Sequence, residues 1–151
     1  MKATARILIF VILLSPATVI AGTVPEIDVE ALFAEKKALV KEAMQLTEKE
    51  GAVFWPLYSD YEKIDMDIFK KRSEHIRKYV RERNGLSDKK AALMMKEYLQ
   101  IEAEALDSKR AMVKKFSDHL PAKKVYQYFV MEELLEAGFF SQIGENLPVI
   151  K

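Results

Sequence analysis

The 151-residue chain has no cysteine, five glycines, five prolines, one tryptophan and two histidines. Without cysteine there is no disulfide, no thiolate metal site, no cysteine nucleophile and no lipoprotein anchor. So few glycines and prolines leave little turn chemistry, and a fold of many short strands needs many turns. The abundance of Ala, Leu, Glu and Lys favours long helices instead. There is no glycine-rich phosphate loop and no nucleophile–histidine arrangement. Carboxylates such as Glu97, Glu102, Glu104, Glu132 and Glu133 follow ordinary exposed-helix spacing with lysines. The expectation is a non-enzymatic protein with no cofactor.

Neither sign of charge is in excess, with 24 basic and 23 acidic residues. The first feature present in strength is at the N-terminus. Lys2 and Arg6 precede the apolar run ILIFVILL at 7–14, then Pro16 and the small-residue stretch VIA at 19–21. This is the outline of a secretory signal peptide. The run is short for a bilayer span, which takes about 20 apolar residues. Residues 1–21 are therefore expected to be cleaved near Ala21 or Gly22, an uncleaved anchor being the alternative. Residues 22–151 form one domain, expected in the periplasm, with membrane contact only through the signal segment before cleavage. Loss of residues 1–21 removes two positive charges and no acid, leaving 22 basic and 23 acidic residues. That balance offers nothing to nucleic-acid phosphates.

The pattern predicts an all-α fold of about four helices. The first starts behind Asp28 and carries Val29, Leu32, Phe33, Leu39, Val40, Ala43 and Met44 on one stripe to about Gln45. Next, LTEKE at 46–50 gives Thr47 and Glu50 capping-box spacing. A helix from there to about Arg83 places Phe54, Leu57, Tyr61, Ile64, Ile68, His75 or Ile76, and Tyr79 in phase. The phase is kept across Pro56, so a bent continuous helix is expected rather than a loop; a helix beginning at Pro56 is the alternative. Asn84 and Gly85 suit a left-handed cap, and Ser87 caps a third helix running to about His119. Its stripe is Met95, Leu99, Ala105 or Leu106, Met112 or Val113, Phe116 and Leu120. The two make a long kinked antiparallel hairpin over about 47–119. Pro121 opens a last helix at its first position, with Val125, Tyr128, Phe129, Leu135 and Phe139 continuing the pattern and Gly138 weakening its end. The tail from 143 carries no helical signal.

An exported, cysteine-free, four-helix chain with LTEKE at 46–50 and LPAKK at 120–124 resembles the Spy/CpxP family of periplasmic stress proteins, whose motif is Leu-Thr-x-x-Gln. Here Glu50 replaces the glutamine of the first copy, and Pro121 and Lys124 stand in the second. FWPLYSDYEK at 54–63 and LPAKKVYQYFVMEE at 120–133 also resemble a group of uncharacterised small exported helical proteins. The resemblance, over about 46–140, implies a hairpin that dimerises into a curved cradle. It also implies a concave face that binds unfolded clients, or that senses stress or metal for a signalling partner.

Two patches are candidate client- or partner-binding sites. Phe54, Trp55, Tyr58 and Tyr61 offer large apolar area with polar tips, or else pack in the hairpin core, with Trp55 the one off the main stripe. The hairpin tip is basic, with Arg77, Lys78, Arg81, Arg83, Lys89 and Lys90 against Glu82 and Asp88. It suits acidic segments or lipid heads, or is simply a solvated face. A metal site would need His75 and His119 to converge, helped by Met94, Met95 or Met112, but the histidines fall near opposite ends of the hairpin. No single-chain metal site is expected, a site shared across a dimer being the alternative. Two amphipathic helices in so short a chain leave apolar surface, which points to a homodimer. The expected function is a non-enzymatic periplasmic interaction protein, chaperone-like in envelope stress. The alternatives are a metal-responsive accessory protein or a structural envelope protein.

Overall fold

The structure is a computed structural model that describes residues 27–144. The expected signal segment, its cleavage site and the tail after Gly144 lie outside the described residues. Within them are four α-helices and no strand: α1 (Val29–Met44), α2 (Glu48–Glu82), α3 (Asp88–Ser117) and α4 (Ala122–Gly144), with a 3-10 turn at Arg83–Gly85 between α2 and α3. The fold is all-α, as the periodicity predicts.

Local chemistry sets the helix starts. The Asp28 side chain accepts from the Ala31 N–H at 3.0 Å. At α2 the capping box is complete: the Glu50 N–H donates to Thr47 Oγ1, and the Thr47 N–H donates to Glu50 Oε2 at 2.9 Å. Ser87 caps α3 through the Lys90 N–H. Each cap satisfies a backbone donor that the helix itself cannot.

α2 runs unbroken through Pro56. Proline removes the donor that the Ala52 carbonyl would otherwise accept. Pro56 is exposed, so water reaches that carbonyl's side of the helix, while Phe54 and Tyr58 on either side are buried. The apolar anchors outweigh one lost hydrogen bond.

Two helix ends differ from expectation. The hairpin tip does not use a left-handed cap at Asn84 or Gly85. It tightens into the 3-10 turn, and the Arg83 guanidinium donates to the Val80 carbonyl, taking up one free acceptor. The left-handed residue is instead Gln45, φ 42°, at the end of α1. Pro121 precedes α4 rather than opening it, its carbonyl accepting from the N–H groups of Lys124 and Val125. Gly138 lies inside α4, which continues past it.

α2 and α3 pair antiparallel. Ion pairs Lys71–Glu104, Arg72–Glu102, Lys78–Glu97 and Lys90–Glu82 descend one helix as they climb the other. α1 and α4 close over one half of this hairpin. Val40 and Met44 of α1, Phe54, Tyr58 and Tyr61 of α2, Met112 and Phe116 of α3, and Val125 and Tyr128 of α4 form one buried cluster. Phe54 stacks on Phe116 and meets Tyr128 edge-on, so three helices share one aromatic contact. Burying a side chain of this kind contributes about 2–3 kcal/mol.

Among the described residues, the ring contacts and ion pairs that tie α1 and α4 to α2 fall between Phe54 and Arg72. Those tying α4 to α3 fall between Lys109 and Phe116. Beyond them α2 and α3 continue to the tip as an arm over about 73–101, roughly 20 Å long on its α3 side at 1.5 Å per residue.

Candidate functional site

A band of charge lies between the core cluster and the arm. Lys36 of α1 pairs with Asp65 of α2 and, at 3.2 Å, with Glu132 of α4. Glu132 is buried, and its second oxygen accepts from the Tyr61 hydroxyl at 3.4 Å. Burial, only partly offset by Lys36, raises the Glu132 carboxyl above the ordinary carboxylate range. Burial acts to lower Lys36, but Asp65 and Glu132 outweigh it and hold the ammonium above its usual range. The Tyr61 hydroxyl is pushed up by burial and by Glu132. One layer nearer the arm, Arg72 donates to both Glu102 oxygens at 2.8 Å and also pairs with Glu136. Lys109 pairs with Glu133. These bridges fasten α1 and α4 onto the hairpin.

The aromatic candidates do not form a surface. Phe54, Tyr58 and Tyr61 are core residues with almost no exposure, because they sit where α1 and α4 both cover α2. No client reaches them in this conformation. Trp55 is half-buried, its indole edge-on to Phe54 and Tyr58. The tip arginines are on the arm and occupied: Arg77 and Arg81 pair with Glu74, and Arg83 bonds the Val80 carbonyl. His75 sits on the arm near Glu97, while His119 is exposed at the far end of α3. Among the described residues no three His, Cys, Asp or Glu side chains converge as a metal site would need.

The structure brings forward a different set. Met112, Phe116 and Leu120 face inward as expected, but in the first half of α3 Met94 is buried in place of Met95, and Leu99 is exposed. Met95, Leu99, Leu106 and Val113 are turned outward, Met95 and Leu99 each 58% exposed. On α4, Tyr126, Val130 and Leu134 form a second exposed row at four-residue steps. Glu102 and Lys109 share the flank of α3 that carries the first row, and the Lys109–Glu133 bridge crosses to α4. The two rows therefore lie on neighbouring helices, with Leu106 and Val113 nearest the level of the α4 row. At roughly 200 Å² for a large side chain, the seven expose on the order of 700 Å² of apolar surface.

Between α2, α3 and α4 lies an open groove of about 600 Å³. It is lined by apolar Ile76, Ile101 and Leu106 together with charged Arg72, Lys109 and Glu133. An apolar lining with charges of both signs fits an extended or helical polypeptide segment better than a small charged ligand. The sequence held one clue to the outward rows: Glu102 and Lys109 fall between Leu99 and Val113 on the supposed core stripe.

Among the described residues, no helix is long and apolar enough to cross a membrane. The chain matches no family model, no curated protein and no solved structure.

Proposed function

We propose that this chain is a non-enzymatic interaction protein, exported to the periplasm, that holds apolar segments of other polypeptides in a chaperone-like manner. The carrying observation is the pair of outward apolar rows, Met95–Leu99–Leu106–Val113 and Tyr126–Val130–Leu134, beside a core that is otherwise closed. Apolar surface of this extent is costly to leave in water and favours a partner. Methionine, leucine and tyrosine accommodate partners of varied shape, because sulfur and aliphatic chains repack easily and tyrosine adds a hydroxyl. The charged rim limits how far two such faces can collapse without order. The resemblance to the Spy/CpxP family supports the same function. A second copy of the chain is a natural occupant of the face when no client is present, which makes a homodimer part of the proposal.

The test is suppression of aggregation of a chemically unfolded client, with L99E/L106E/V130E as the variant. The wild type should suppress at near-stoichiometric ratio, and the variant should lose most of the effect while keeping its helical circular dichroism. No suppression at several-fold excess, or equal activity of the variant, rejects the proposal. Sedimentation at micromolar concentration tests the dimer, and a strict monomer rejects that part alone.

A further inference from the structure

Charge is separated along the molecule. The arm over 73–101 carries seven basic residues (Arg77, Lys78, Arg81, Arg83, Lys89, Lys90, Lys96) and four acidic ones (Glu74, Glu82, Asp88, Glu97). The other described residues carry 14 basic and 17 acidic. The near-neutral chain is thus a dipole, positive at the arm and negative over the bundle. Arg77, Lys78, Arg81 and Lys90 each have a carboxylate partner. Lys89 and Lys96 are exposed and have no ion pair among the described residues. They are seven positions apart, on one face of α3, with Leu93 between them and 55% exposed. This row is separate from Met95 and Leu99 on the other flank.

We infer that the arm docks side-on to an anionic lipid bilayer, with Lys89 and Lys96 at the headgroup phosphates and Leu93 dipping between them. Complementary charge selects this occupant. Two unpartnered ammonium groups around one exposed leucine suit a surface whose phosphates lie above hydrocarbon. An excess of anionic lipid attracts the positive arm and repels the negative bundle, so the dipole orients the molecule before contact. The contact is reversible, since few cations and one leucine provide far less than a spanning helix. The outward apolar rows on α3 and α4 stay free for polypeptide, so this inference goes beyond the proposed function without depending on it.

Vesicle co-sedimentation tests the inference, comparing phosphatidylglycerol-rich with pure phosphatidylcholine vesicles. The variants are K89E/K96E on the arm and K49E/K63E on the bundle, which change net charge equally. All carry the same N-terminal residues, so any contribution of those cancels in the ratio. Binding to the anionic vesicles should fall about tenfold in K89E/K96E and hardly at all in K49E/K63E. Leu93→Ala should lower it a few-fold, and salt near 0.5 M should abolish most of it. Equal loss in both double variants, equal binding to neutral vesicles, or no vesicle binding overturns the inference. Binding to soluble polyglutamate without vesicle binding assigns the arm to an acidic polypeptide instead, and also overturns it. Client aggregation is read separately, so loss of one activity does not imply loss of the other.

Discussion

Phe54 of α2 lies nearly parallel to Phe116 of α3, ring centroids 5.0 Å apart and planes 8° apart, with both side chains fully buried. This contact joins the two hairpin helices at the level where α1 and α4 cover them. Truncation there leaves a void that neighbours on four helices cannot all fill. Phe54→Ala should cost about 3–5 kcal/mol in urea unfolding. Leu99→Ala, on the exposed row, should stay within about 0.5 kcal/mol. Equal costs would mean that the assignment of inward and outward rows is mistaken.

Lys36 and Glu132 make stability depend on pH. The Glu132 carboxyl is raised above its ordinary 4.5, so the folded chain binds that proton more tightly than the unfolded chain. Its contribution is complete below the unfolded value and fades as pH rises through the folded one. Lys36 is raised above 10.5, so its contribution persists through neutrality and is lost only as pH rises past the folded value. Glu132→Gln keeps a neutral group at every pH. Its stability relative to wild type should therefore improve between about pH 4 and about pH 7. Urea midpoints at the two ends check this, and a variant that loses ground to wild type on the alkaline side contradicts it.

Lys36→Met should be more damaging. It leaves Glu132 buried without its cation and Asp65 without a partner on α1. A loss of about 3 kcal/mol is expected near neutral pH, shrinking in acid as Glu132 takes up a proton. The same loss at both pH values would point to packing of the lysine stem rather than charge.

Pro56 offers a test of the backbone. Pro56→Ala restores a donor to the Ala52 carbonyl and relieves the ring clash, against a more flexible unfolded chain. The net gain should be about 1–2 kcal/mol, read as a higher melting temperature. A loss would show that the packing of Phe54 and Tyr58 requires the proline's geometry.

The capping box is a smaller, local matter. Thr47→Ala removes the acceptor for the Glu50 N–H and should cost about 1 kcal/mol. Thr47→Ser should be nearly silent, since it keeps the oxygen. If both variants lose the same amount, the threonine methyl rather than its hydroxyl is responsible.

How much was legible in the chain varies from element to element. Helix α2 was readable nearly to the residue, from Thr47 to Glu82, because a cap and a long in-phase stripe agree. The turn at Arg83–Gly85 was placed correctly but not its geometry, since Asn-Gly tolerates a 3-10 turn as well as a left-handed cap. Phe54, Tyr58 and Tyr61 could be read as surface or core, because an amphipathic stripe says only that something covers it. The outward rows on α3 and α4 were not readable. A shift of one position, Met94 for Met95, rotates a helix by 100°, and α3 has apolar residues on both sides of that choice.

The order of residues by itself determined four helices, the N-caps of the first three and the short links that make neighbours antiparallel, because hydrogen bonds within a turn and 3.6-residue periodicity act over a few positions. The tertiary structure alone decided which flank of α3 faces α2, that Lys36 meets Glu132 across 96 positions, and that α1 and α4 meet α2 between Phe54 and Arg72. Those outcomes depend on the relative rotation and reach of separate helices, which are settled by how side chains from distant positions fill a shared space.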